Sequence, residues 1–174
     1  KENKIKNVSL ITSVSDEFQK KNINKTLQET KKNISEMVSV NYFDNIKLYI
    51  SCINKCPIYG VIDNNVVVDE ILSYTKHDNI NEFCISDTCG NLNFQNFKYI
   101  IDNVLKELHA DYISLHLHVS DDNIENVTDI INYAVSKEII KFDVSYFDNV
   151  GGCTVTIKEK PNRNLTYTDL ITIL

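Results

Sequence analysis

The sequence predicts an α/β fold with parallel strands, because segments with strand and helix patterns alternate about five times along the 174 residues. A second observation is that a polar cluster follows directly after each strand segment. A third is that no linker or low-complexity tract interrupts the chain, so residues 1–174 are predicted to form one domain. Polar ends on all the strands favour an α/β barrel, since an open doubly wound sheet needs them only at its switch point.

Strands are recognised by alternating or branched apolar residues, and helices by apolar residues spaced three and four apart. The predicted strands are Ile5–Thr12, Ile46–Cys52, Glu82–Ser86, Tyr112–Val119 and Ile139–Tyr146. The first of the predicted longer helices starts at Asn24 or Thr26 and runs to Tyr42. The others span Asn65–His77, Phe94–Leu108, Ile124–Val135 and Thr166–Leu174. The order therefore consists of repeated strand–helix units.

Composition excludes several classes of protein. The formal net charge is -6 and no basic stripe occurs, so neither nucleic acid nor an anionic membrane surface is an expected partner. No apolar run approaches the roughly 18 residues of a membrane span. The 5 cysteines form no close Cys-x-x-Cys pair, which argues against a disulfide framework and favours a reducing compartment, cytoplasmic or mitochondrial.

The strand Tyr112–Val119 carries the sharpest chemical pattern. Its residues alternate polar and apolar, so His116 and His118 share one face of an extended chain. Two imidazoles at this spacing are close enough to bind one metal ion. The alternative is a strand whose polar face only meets water.

Six short motifs, in the same order along the chain, resemble those of hydroxymethylglutaryl-CoA lyase, in the wider group of metal-dependent barrel lyases and acyl-CoA carboligases. They are Ser15–Asn24, Tyr49–Pro57, Asp87–Gly90, His116–His118, Gly151–Cys153 and Asn164–Leu170. Each motif alone is a weak indication, but their shared order is strong. The Ser-Cys-x-x-x-Cys-Pro and Lys-Lys-Asn pieces favour the lyase over isopropylmalate or homocitrate synthases.

The resemblance implies a partial (β/α)8 TIM barrel, roughly its last five β/α units, because a full barrel needs about 250 residues. The family's Arg-Asp-Gly motif, which supplies an arginine and a metal-binding aspartate, does not occur here. Val119 stands where the family has aspartate, Thr154 replaces a proline and Arg163 replaces a glycine. Two interpretations stay open: a segment of a longer enzyme, or a degenerate relative.

The implied reaction cleaves 3-hydroxy-3-methylglutaryl-CoA to acetyl-CoA and acetoacetate with a divalent metal cation, Mg²⁺ or Mn²⁺. The implied metal ligands are His116, His118 and Asn164. The implied catalytic residues are His116, Cys153 and Asp87. The candidates for contacts with the acyl-CoA substrate are Tyr49, Ser15, Lys21, Asn22 and Thr88.

Two alternative functions remain: a non-catalytic relative that binds metal or acyl-CoA, and an acyl-CoA carboligase of the same superfamily. Asp87 fits a helix cap as well as a catalytic role, and Cys153 fits a plain loop cysteine. An unclosed barrel would leave the strands Ile5–Thr12 and Ile139–Tyr146 with unpaired edges. Such edges pair readily with another chain, so we expect a homo-oligomer, or an edge that segments outside the barrel cover.

Overall fold

A parallel sheet with helices between its strands organises the structure, a computed structural model that describes residues 5–40, 42–147, 151 and 162–174. The strands are β1 (Asn7–Ser13), β2 (Asn45–Ser51), β3 (Lys55–Cys56), β4 (Gly60–Val61), β5 (Glu82–Ser86), β6 (Ile113–His116), β7 (His118–Val119), β8 (Lys141–Asp143) and β9 (Arg163–Asn164). The main sheet has the order β1-β2-β5-β6-β8 and all its pairs are parallel. The predicted α/β barrel-type fold is confirmed, with five strands in one sheet.

The described residues form six α-helices, of which the first five lie between strands: α1 (Asp16–Ile23), α2 (Leu27–Ser39), α3 (Asn64–Leu72), α4 (Phe94–Val104), α5 (Ile124–Ser136) and α6 (Tyr167–Ile173). Side-chain caps explain where most of them begin. Thr26 and Glu29 form a capping box at α2, and Thr166 and Asp169 form another at α6. The caps satisfy backbone N–H groups that the first turn leaves without a partner.

The two faces of the main sheet differ in polarity. On β2, Ile46, Leu48 and Ile50 are buried and belong to one apolar cluster with buried residues of the helices. Lys47 and Tyr49 alternate with them and lie half-buried on the opposite face. Each fully buried aliphatic side chain contributes about 1.5–3 kcal/mol. The helices therefore cover one face, and the other face carries the polar residues.

Two predicted strands are longer than the observed ones. Tyr112 belongs to a short 3-10 turn, and the strand breaks at Leu117, whose carbonyl oxygen accepts from the N–H of Leu165 at 3.0 Å. The last predicted strand, Ile139–Tyr146, is reduced to β8, because the N–H of Ser145 donates to the Leu165 carbonyl at 2.8 Å. The segment around Leu165 thus takes over hydrogen bonds that sequence periodicity assigned to the main sheet.

The edges of the main sheet are β1 and β8, and each pairs with a single neighbour there. Within the described residues, no helix is both long enough and apolar enough to span a bilayer. The carboxyl ends of the five strands meet at one rim, which is where the polar clusters of the sequence come together.

Candidate active site

A cavity of about 340 Å³ opens at the carboxyl ends of the strands. It is lined by Ile11, Phe18, Asn22, Tyr49, Ser51, Ser86, Thr88, His116, His118, Gly151 and Asn164. These residues come from β1, α1, β2, β5, β6, β7 and β9 and from loops that follow strands. Because parallel strands bring their carboxyl ends to one rim, segments far apart in sequence share this space.

His118 is oriented by a hydrogen bond to the main chain. Its Nδ1 lies 2.6 Å from the backbone oxygen of Asp87, which can only accept, so Nδ1 carries the proton. In the neutral ring the other nitrogen, Nε2, then has a free lone pair. This arrangement is typical of metal-binding histidines, whose second nitrogen donates to a carbonyl or carboxylate.

His116 presents its imidazole to the same cavity. The ring centroids of His116 and His118 are 5.0 Å apart and the rings are nearly perpendicular, at 87°. Burial, followed by the neighbouring His118, lowers the pKa of His116 to about 4. His116 is therefore uncharged at neutral pH and can offer a lone pair.

Asn164 lies beside His118 because β7 and β9 pair antiparallel, with His118 directly opposite Asn164. Gly151 approaches the same amide so closely that an added Cβ would overlap the Asn164 side chain. Its φ of +120° also disfavours any other residue. Gly151 is thereby positioned at the cavity. Cys153 lies outside the described residues.

The donor types around the cavity fit a divalent cation. The two imidazoles and the Asn164 amide combine nitrogen and oxygen donors, a mixture compatible with several divalent metals. Among the described residues, no group of three His, Cys, Asp or Glu side chains could hold a metal ion. A complete coordination sphere would thus need further donors from water, substrate or other parts of the protein.

Asp87 is placed differently from the cavity residues. Its carboxylate accepts from the backbone N–H groups of Gly90 at 3.1 Å, Asn91 at 3.4 Å and Leu92 at 3.0 Å. Burial raises the pKa of Asp87, although these hydrogen bonds and His118 oppose the rise. These contacts stabilise the turn before α4, and the backbone oxygen of Asp87 is what reaches His118. A catalytic role for the carboxyl group stays a prediction.

The five candidate substrate contacts divide into two groups. Tyr49, Asn22 and Thr88 line the cavity. Ser15 caps α1 and its hydroxyl lies 3.0 Å from the Cys56 sulfur, while Lys21 is exposed on α1 outside the cavity lining. The structure thus brings three of the five candidates to the cavity wall.

The sequence indicated Tyr49 and Asp143 at the barrel mouth, but it did not predict the ion pairs that join Asp143 to Lys47 in a charged cluster beside the cavity. Lys47 forms ion pairs with Glu82, at 2.8 Å, and with Asp143, and the Tyr49 hydroxyl donates to Asp143 at 2.5 Å. Burial raises the pKa of Tyr49 to about 12, and the hydrogen bond to Asp143 acts in the same direction. The sequence offered one indication: Lys47 and Tyr49 alternate with apolar residues along β2 and therefore share its polar face. The pairing with Asp143 depends on strand order, which periodicity does not give.

Fold and site together define a segment of an α/β barrel whose cavity, at the carboxyl ends of its strands, offers two imidazoles and an amide. The segment is similar to 3-hydroxy-3-methylglutaryl-CoA (HMG-CoA) lyase in sequence and in fold, and is thus HMG-CoA lyase-like. The Homo sapiens protein named "3-hydroxy-3-methylglutaryl-CoA lyase, cytoplasmic" is 28% identical over 113 residues, which span 64% of this chain and 30% of the human protein. No protein-family model matches the chain.

Solved lyase structures share the fold over nearly the whole chain. The HMG-CoA lyase of Pseudomonas aeruginosa matches with a TM-score of 0.80 and 23% identity, covering 98% of this chain and 55% of that one. The HMG-CoA lyase of Acinetobacter baumannii, in complex with coenzyme A and 3-methylmalate, matches with a TM-score of 0.81 and 22% identity, covering 96% and 53%. The chain thus spans about half the length of these enzymes.

Proposed function

We propose that this chain supplies the metal-binding half of a barrel that cleaves 3-hydroxy-3-methylglutaryl-CoA to acetyl-CoA and acetoacetate. The observation that carries the proposal is the convergence of His116, His118 and Asn164 on one cavity. The similarity to HMG-CoA lyases supports the same reaction class. Because the chain spans only part of its relatives, we expect turnover from the complete gene product.

The proposed chemistry begins with binding of the substrate in the cavity. Mg²⁺ or Mn²⁺, when bound, would supply Lewis-acid stabilisation of the substrate's hydroxyl and carbonyl oxygens. His118, fixed by its bond to the Asp87 carbonyl, and Asn164 would serve as ligands. His116, which is neutral, would serve as a ligand and as a relay for the hydroxyl proton.

Bond cleavage then requires two proton movements. Loss of the proton from the tertiary hydroxyl allows the carbon–carbon bond to break, which leaves the ketone of acetoacetate and the enolate of acetyl-CoA. The enolate carbon must then be protonated. We assign that acid–base role to Cys153 on the Gly151–Cys153 loop, and keep Asp87 as the alternative.

Acyl-CoA is the proposed partner. The Acinetobacter baumannii lyase was solved with coenzyme A, which supports this ligand class. Tyr49, Asn22 and Thr88 line the cavity and are proposed to contact the acyl portion of the ligand. Lys21 and Ser15, away from the cavity lining, are kept as candidates for contacts with CoA or with a carboxylate of the substrate. We propose a cytoplasmic location because the curated human relative carries that word in its name.

A second candidate function is a non-catalytic relative that binds metal or acyl-CoA. It is favoured by the ligand set, because within the described ranges no third His, Cys, Asp or Glu joins His116 and His118. Val119 also stands where the resemblance leads one to expect an aspartate.

One experiment separates the two candidates. Acetoacetate release from 3-hydroxy-3-methylglutaryl-CoA is measured with Mn²⁺ for this chain and for the full open reading frame. Mn²⁺ binding is measured by calorimetry in parallel, for the parent and for the double variant His116→Ala/His118→Ala. We expect turnover by the full product and loss of Mn²⁺ binding in the double variant. Metal binding without acetoacetate release from the full product would favour the non-catalytic relative.

A further inference from the structure

The two histidines among the proposed ligands differ in what holds their rings in place. His118 is held by a hydrogen bond to the Asp87 carbonyl at 2.6 Å. For His116, no hydrogen bond to another residue of the described ranges involves its ring. Its ring is instead positioned by two edge-on ring contacts, with His118 at a centroid distance of 5.0 Å and with Tyr49 at 6.4 Å and an interplanar angle of 77°. The position of the Tyr49 ring therefore contributes to how His116 sits in the cavity.

Tyr49 is in turn tied to a carboxylate on another strand. Its hydroxyl donates to Oδ2 of Asp143 at 2.5 Å, across the sheet from β2 to β8. The other oxygen of Asp143 accepts from Lys47, whose ammonium group also lies 4.8 Å from the Tyr49 ring centroid. Tyr49 is thus held at its hydroxyl by Asp143 and over its ring face by Lys47.

Asp143 is also next to His116 in the sheet. The two residues are direct register partners in the parallel pairing of β6 with β8. Both line a second cavity of about 400 Å³, together with Tyr49 and Asn164. The Asp143 side chain is 26% exposed, so its contacts are only partly screened by solvent.

We propose that Asp143 is a positioning residue that fixes the Tyr49 ring and, through it, holds His116 in the orientation it needs to bind metal beside His118. The proposal rests on the proposed function, since it assigns a metal-binding role to His116. Outer contacts of this kind typically change metal affinity by about 10–100-fold. Because Asp143 acts through a ring contact, we expect the lower end, about tenfold.

The structure offers matched variants for a test. Asp143→Asn removes the charged acceptor, and Tyr49→Phe removes the donor while keeping the ring. Glu82→Gln removes the other carboxylate on Lys47, at 2.8 Å, and leaves the bond between Tyr49 and Asp143 intact. Thermal unfolding of each variant of the full chain checks that the fold is retained.

Mn²⁺ titration is the first measurement. We expect Asp143→Asn and Tyr49→Phe to weaken Mn²⁺ binding to a similar extent, and Glu82→Gln to leave it unchanged. Residues that act as one unit give non-additive effects, so the double variant of Asp143 and Tyr49 should be no weaker than the worse single variant. Equal weakening by Glu82→Gln would indicate a general loss of structure and overturn the proposal.

Ring-nitrogen NMR of the metal-free protein is the second measurement, and it does not depend on the proposed reaction. The His116 signals should shift in Asp143→Asn and Tyr49→Phe, while the His118 signals should stay, because His118 is fixed by the Asp87 carbonyl. A parent protein that binds no Mn²⁺ but shows these shifts would refute the metal site and retain the positioning role. Unchanged His116 signals in both variants would refute the positioning role.

Discussion

Replacing Gly151 by alanine tests whether Gly151 controls the position of the Asn164 side chain, the proposed metal ligand. A Cβ at Gly151 would lie within 2.7 Å of three atoms of the Asn164 side chain, so the amide has to move. Gly60→Ala is a matched control, since Gly60 also has a positive φ, +108°, but its Cβ would meet nothing within 4 Å. Both variants therefore carry the same kind of backbone strain, of order 1–3 kcal/mol. Only Gly151→Ala adds displacement of the amide.

We expect the two variants to lose similar stability but to differ in metal affinity. Denaturant unfolding should show both variants destabilised by about 1–3 kcal/mol. Mn²⁺ calorimetry should show weaker binding by about 10–100-fold for Gly151→Ala, the range seen when a metal site loses precise ligand placement. Gly60→Ala should bind Mn²⁺ as the parent does. Parent-like affinity in Gly151→Ala would refute the reasoning that Asn164 is a ligand.

Three further predictions concern the fold. Phe97→Ala, at a fully buried position of α4, should lower the free energy of unfolding by about 3–5 kcal/mol. Tyr99→Phe, at an exposed position, removes only a hydrogen bond to Asn65 and should lower it by at most about 0.5–1.5 kcal/mol; urea denaturation tests both. Hydrogen bonds from Lys98 and Tyr133 lower the pKa of Asp102 to about 2 from 3.8. The ionised Asp102 should therefore stabilise the folded protein above about pH 4, and this contribution should be lost as the pH falls towards 2. Asp102→Asn should flatten this acid transition in thermal melts. The edges of β1 and β8 should promote self-association of this chain unless other segments cover them; a monodisperse monomer in light scattering with both edges open to solvent would contradict this.

Much of the fold follows from local patterns. The stripe of Phe97, Ile100, Ile101 and Val104 is fully buried, as the helical spacing predicts. The apolar residues of the His-x-His strand, such as Leu115 and Leu117, are buried as well. Periodicity predicts these positions because burial of one face is a property of the element itself.

Strand ends were harder to predict. Residues after His116 and Asp143 keep a strand-like pattern, yet they leave the main sheet and bond to the segment around Leu165. A local pattern does not say which partner a strand will have, because strand preference depends on neighbours that are distant in sequence.

The candidate site was likewise predictable only in part. Residue types and motif order placed His116, His118 and Asn164 in one expected group, and the structure brings them to one cavity. The bond from His118 to the Asp87 carbonyl and the contact of Tyr49 with Asp143 join residues 31 and 94 positions apart. Their distances depend on strand order and register.

The sequence by itself determined the alternation of strands and helices, the buried faces and the residue types that gather at the rim. Tertiary structure alone decided which neighbour orients each imidazole, that the Asp87 carboxylate binds turn amides, and that Lys47 and Asp143 form one cluster. The physical reason is range: periodicity and capping act within a few residues, whereas hydrogen bonds across a parallel sheet depend on segments that only folding brings together.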